Sequence, residues 1–422
     1  MLVVRRILSL FRSNKKNTII FLIVICLVTF SQCISNKKAG QADLRGESFA
    51  GSVQCKNCHQ QIYNDFVQTA HANTSSDSLI ELVRNGFASG NNKFVFNDSV
   101  EVVMEKTGSN YHQTYYKFGQ KKFSHSFDIV VGSGRKAQTF LYYNDQKKIS
   151  QLPISYFMTV NAWANSPGFP ADDAKFDRNI PSNCMGCHSS FIEVKQTYKG
   201  VVLLEEFPKN KIVYGIDCER CHGPAQEHVD FHTSNPNEKA GKFLTRIQSL
   251  KRKQKDDMCG VCHSGFRETQ QPLFNFKPGD DISNYFIPDF RGIDTSTLDV
   301  HGNQAQLMMS SKCYQESNEL TCTSCHNVHL KERDNLNIYS ARCMNCHMEV
   351  KHTFDKDNSL TNAIKTNCVD CHMPKKPSTM ITMLTNEKLQ AVPDYIRTHL
   401  ITVYKDETKR FVDSLMRTSG KK

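Results

Sequence analysis

Apolar residues are scarce in this chain of 422 residues: 39 % of it is hydrophobic and the mean hydropathy is −0.48. Side chains alone are therefore short of what fills the core of a protein this size. Long apolar runs are lacking too. The run Thr18 to Phe30 has 13 residues, short of the ~20 that cross a bilayer as a helix. Acidic residues do not balance basic ones, and the formal charge is +11. Cysteine, by contrast, is plentiful at 17.

Most of that cysteine lies in one pattern. Cys-x-x-Cys-His occurs seven times: Cys55/Cys58/His59, Cys184/Cys187/His188, Cys218/Cys221/His222, Cys259/Cys262/His263, Cys322/Cys325/His326, Cys343/Cys346/His347 and Cys368/Cys371/His372. These are numbered below as motifs one to seven. Cys-x-x-Cys is also the half-site of a zinc ribbon. A ribbon needs no histidine directly after its second cysteine, and histidine is only 16 of 422 residues. Two thiols that add to the vinyl groups of one porphyrin, followed by an imidazole for its iron, do need that order. The expectation is seven covalently attached c-type haems, each with its motif histidine as proximal ligand. Only Cys26, Cys33 and Cys313 remain outside the motifs, so a disulfide scaffold is not the reading.

Cysteine-attached haem is assembled outside the cytoplasmic membrane, so the chain must be exported, to the periplasm or outer cell envelope. Arg5, Arg6, Arg12, Lys15 and Lys16 precede the apolar run, as in a signal peptide over residues 1–32. Cys33 follows at once and resembles a lipoprotein cysteine, although Gln32 stands where a small residue is usual. Lipidation at Cys33, cleavage nearby and a retained anchor stay open. Cys26 reads as inert within the run.

The charge resembles a nucleic-acid footprint, but removal of residues 1–32 takes away five basic residues and no acidic ones, leaving +6. Each bis-histidine ferric haem adds roughly one negative charge, so seven bring the mature protein to roughly −1. The extra Lys and Arg read as propionate partners, and nucleic acid is not expected.

The segment 33–52 is polar and reads as a tether. The first haem segment, 53–92, continues past its motif as a helix with Ile62, Phe66 and Ala70 on one stripe. Between about 93 and 157 cysteine is absent, and strand-like runs alternate with turn signals. An antiparallel β insertion is expected there, with His112 and His125 as strand surface residues. Residues 158–422 then read as a six-haem helical core, which makes the fold class mainly α and haem-cored. The motif spacing is irregular, so a solenoid of equal repeats is excluded. Lys239 to Asp257 reads as a polar helix, and Gly265 to Asp299 as a long loop.

Cys55 to His59 followed by Tyr63, Phe66, Thr69, His71 and Ala72 resembles the first haem segment of the cytochrome c554-like multihaem cytochromes. That superfamily is related to hydroxylamine oxidoreductase and the pentahaem nitrite reductases. Cys218-Glu219-Arg220-Cys221-His222-Gly223-Pro224 and the end, Ile396 through Ile401, resemble it as well. The resemblance implies distal iron ligands at His71, His228, His301 and His399. His329, in Cys-His-x-x-His, is expected to reach a neighbouring haem. His352 is a weaker candidate, and His232 is expected to be solvated. Cys313 reads as a small buried residue, or as a thiol facing a substrate haem.

Histidine number bears on function. Seven of the sixteen are proximal, which leaves nine. If every iron is six-coordinate, the protein only moves electrons; an iron without a distal ligand can bind a small molecule. The favoured reading is an electron-transfer cytochrome between a membrane quinol oxidase, or another redox partner protein, and an acceptor. The alternative is a multihaem oxidoreductase acting on a small nitrogen or sulfur compound. No Cys-x-x-Cys-Lys is present, so the lysine-ligated haem of the pentahaem nitrite reductases is not expected.

Overall fold

The computed structural model describes residues 43–77, 83, 85–289, 292, 294–350, 352, 364, 366–386 and 390–418. The segment read as a signal peptide, Cys26, Cys33 and half of the expected tether (33–42) lie outside them. The chain forms two compact units, 1–46 and 47–422. In the first, the Arg45 guanidinium pairs with Asp43 at 2.8 Å. The rest concerns the second.

Two antiparallel sheets fill the space between motifs one and two. One is a meander of Lys93–Asn97, Val100–Thr107, Asn110–Lys117 and Gln120–Ser126, paired in chain order. Its inner face follows from the two-residue period of a strand: Phe94, Val100, Val102 and Met104 are buried. Phe118 and Gly119 both take positive φ, 52° and 70°, the geometry of a tight hairpin turn. The other sheet has seven strands. Ser75–Ser76, Ile129–Val131, Ala137–Tyr143, Ile149–Gln151 and Arg178–Asn179 follow in order, and Ile154–Phe157 joins Ala137–Tyr143 to Ala162–Asn165. Phe127 stacks on Phe140 at 4.1 Å between them, and Trp163 Nε1 donates to the Gly86 carbonyl at 2.6 Å. A Cβ at Gly86 would stand 2.7 Å from the Trp163 ring, so only glycine fits.

The expectation of a mainly α chain is wrong: strand occupies nearly as much of it as helix. The β region overruns 93–157 at both ends, from Ser75 to Asn179. More strands lie inside the segment read as a helical core. Ser189–Ile192 pairs with Ile212–Tyr214, Lys195–Lys199 with Val202–Glu206, and Lys375–Met383 with Val392–Arg397. Apolar alternation does not mark these ribbons: Lys195–Lys199 is exposed along its length. The helices, meanwhile, are short, because a haem-attachment motif needs only one turn. Cys218–His222 and Cys368–His372 have five residues each.

Two smaller readings also change. The helix expected over Lys239 to Asp257 is Arg252–His263, which carries motif four at its end. The expected loop Gly265 to Asp299 has a core of its own, with Leu273, Phe276, Tyr285 and Phe286 packed around Val261. Among the described residues, no helix is long and apolar enough to cross a membrane.

Candidate haem-binding site

Each motif adopts a helical turn or its equivalent, which sets cysteines three apart on one side. Local caps fix the turns. Asp217 accepts from the Arg220 N–H at 2.9 Å, and Asn367 from the Asp370 N–H at 3.2 Å. Thr321 and Ser324 form a reciprocal capping box over motif five.

Residues inside the motifs also brace one motif to another. The buried Glu219 carboxylate accepts from the N–H groups of Ala50 and Gly51, both at 2.9 Å, and of Ala225 at 2.8 Å. It thereby ties the start of motif one to motif three. Arg220 Nη2 donates to the Leu273 carbonyl at 2.8 Å and the Gly186 carbonyl at 3.2 Å, which links motif three to motif two. Arg342 Nη1 reaches the Cys325 carbonyl and Glu332, both at 2.7 Å, between motifs five and six. Arg397 pairs with Asp370 beside motif seven.

All seven motifs line one continuous cavity of about 3140 Å³. A pocket for one drug-sized ligand is ~300–1,000 Å³, so this space suits several large flat groups. Across it, imidazole rings face each other in pairs. Centroids are 6.4 Å apart for His59 and His228, 6.1 Å for His71 and His263, and 6.1 Å for His222 and His329. They are 6.0 Å apart for His326 and His399, and 6.4 Å for His352 and His372. Two imidazoles bonded from opposite sides to one metal at ~2.0 Å per bond have centroids roughly 6.3 Å apart. The rings are thus spaced for an iron between them. His301 lines the same cavity as His188 and lies within electrostatic reach of both His188 and His263.

The protons are placed to match. Nδ1 of His228, His372 and His222 meets the backbone carbonyls of Lys242, Thr402 and Thr245 at 2.8, 2.9 and 3.4 Å. Nδ1 then carries the proton and Nε2 is left for a metal. Burial, reinforced by neighbouring imidazoles, lowers His188, His263 and His399 to about 4. Burial also lowers His71, His222, His301, His326 and His329. Neutral imidazole is the form that ligates. The motif cysteines and these rings would hold haem c, which the lining fits.

Motif sulfurs also meet across segments. Cys55 contacts Cys218, Cys187 contacts Cys262, Cys259 contacts Cys322 and Cys343 contacts Cys368. Cys221 lies within electrostatic reach of Cys262, and Cys325 of Cys346. The motif segments adjoin in the pairs one–three, two–four, four–five, five–six and six–seven, and Arg220 joins three to two.

The remaining residues fall elsewhere. His112 sits in the meander opposite Ser126, and His125 stacks on Tyr142 at 4.0 Å. His232 packs beside His228 at 4.5 Å. Cys313 is half-buried near Cys325 and Cys346, and burial raises its thiol. His352, the weaker sequence candidate, faces His372. Its only sequence signal is its place shortly after motif six.

The comparisons agree with this chemistry. A family model described as cytochrome c554 and c-prime matches residues 54–123 and 162–223. The multiheme cytochrome MtrA of Shewanella baltica (strain OS185) is 22 % identical over 186 residues, which is 40 % of this chain and 53 % of that protein. The chain thus spans about half the length of that relative. The crystal structure of the outer cell wall cytochrome OcwA superposes with a TM-score of 0.50 at 16 % identity, covering 86 % of this chain and 81 % of the other. That likeness speaks for the fold alone. With seven attachment motifs around one cavity and imidazoles paired at metal-bridging distance, the chain is a multihaem c-type cytochrome.

Proposed function

We propose that the protein carries electrons through the cell envelope along seven covalently attached haems. Haem c, when bound, supplies a one-electron couple at each iron. The chain's own residues set where the irons stand. The adjacency of the motif segments, one to three, two to four, four to five, five to six and six to seven, with Arg220 joining three to two, is the observation that carries this reading. Imidazoles supplied by distant segments cross-brace the same row. His71 comes from the first segment to motif four, and His329 from the fifth to motif three. Six irons would be held by two histidines each: those of motifs one to five and seven.

Export and envelope attachment are part of the proposal, with Cys33 as the lipid anchor. The leader-like run ahead of Cys33 supports this. Electrons would come from a membrane quinol oxidase or another redox protein and leave to an acceptor. Rapid mixing of the oxidised holoprotein with viologen radical tests the relay. All haems should fill in one phase and empty together into a ferric chelate. A fast fraction alongside slow, independent fractions would overturn it. The second reading, an oxidoreductase with one open iron, is favoured by a single observation at His347.

A further inference from the structure

Every histidine of the chain lies among the described residues, so the histidine inventory is complete. Seven are proximal. His228, His71, His329, His399 and His352 face the motif histidines of one, four, three, five and seven, and His301 lies within electrostatic reach of those of two and four. His112 and His125 are held in the β region, and His232 packs on His228. None is left for motif six. Among the described residues, no imidazole stands opposite His347.

The methionines of motif six itself do not fill the gap. Met344 lies between the two cysteines of motif six and Met348 directly follows His347, so neither can cross to the far face of the same iron. Met258 packs against the Val261 cluster, and Met308 is buried in its helix. His347 and Cys346 are exposed, and Met348 is 77 % exposed. Motif six is nonetheless inside the row: Cys346 lies within electrostatic reach of Cys325 of motif five, and Cys343 meets Cys368 of motif seven.

From this we infer that the iron at motif six, carried on His347, keeps one axial position for a small lone-pair donor from solution. The step is ligand addition only: the donor's lone pair forms one bond to iron, and no electron is transferred. An open iron within the row can exchange electrons with both neighbours while it holds its ligand, which a fully bis-histidine protein cannot do. The inference rests on haem attachment at motif six, proposed above.

Cyanide titration of the oxidised holoprotein, followed by electron paramagnetic resonance, tests it. Before cyanide, one of seven ferric irons should be high-spin. One cyanide per chain should convert it to low-spin and leave the other six signals unchanged. Seven low-spin irons with no cyanide uptake, or a methionine- or lysine-ligated sixth, would overturn the inference. Haem content measured on the same sample separates that outcome from a failure of attachment. Location is tested by Cys343→Ala/Cys346→Ala, which should abolish the high-spin signal and cyanide uptake. His347→Lys, which keeps both thioether links, should shift the signal if the double variant does not assemble. An unshifted signal in His347→Lys would place the open iron elsewhere and overturn the assignment.

Discussion

His71 and His263 face each other at 6.1 Å with their rings at 82°, although one lies just past motif one and the other closes motif four. Burial lowers both, so both are neutral near pH 7. With haem bound, the pair would make the first haem segment an axial support for motif four. His71→Ala should therefore turn one low-spin haem high-spin with haem content unchanged, as read by paramagnetic resonance and pyridine haemochrome. An unchanged low-spin count would remove His71 as a ligand.

Glu219 is the brace between motifs one and three. Glu219→Ala leaves the N–H groups of Ala50, Gly51 and Ala225 without their acceptor. A buried polar group left unsatisfied costs about 1–3 kcal/mol, so the urea midpoint should fall measurably. Haems one and three should also show altered mutual coupling. Wild-type stability in this variant would mean that water replaces the carboxylate.

Stability should respond to acid through Glu332. The hydrogen bond from Arg342 holds its carboxyl below the usual range. Its contribution is fully present above its unfolded value of about 4.3 and is lost as pH falls through the lower folded value. Glu332→Gln should be less stable than wild type near pH 7, and the difference should shrink on acidification. Parallel stability curves from neutral pH down past pH 4 would show that the pair contributes nothing.

Cys33→Ser should release the protein from the membrane fraction with its haem content intact. Fractionation that does not change would remove the lipid anchor from the proposal.

The attachment sites could be read from the sequence because thioether chemistry demands two cysteines and a histidine within five consecutive residues. Distal partners are not local in that sense. Nothing near His222 in the chain indicates that His329 will face it, and only the fold brings them together. The resemblance supplied His71, His228, His301 and His399 as candidates, but not their partners. The β content was legible where burial alternates, as at Val100–Thr107, and illegible where ribbons rest on backbone pairing. Lys375–Met383 opens with Lys-Lys-Pro and lies beside the last motif without an apolar pattern. The helix Arg252–His263 was misplaced because a single polar stretch covers both its first turns and the loop before it.

The mass of the intact mature protein tests the central claim most directly. The expected value is the processed polypeptide plus seven haems. A mass that matches the bare polypeptide, or one short of seven haems in fully assembled material, would contradict it.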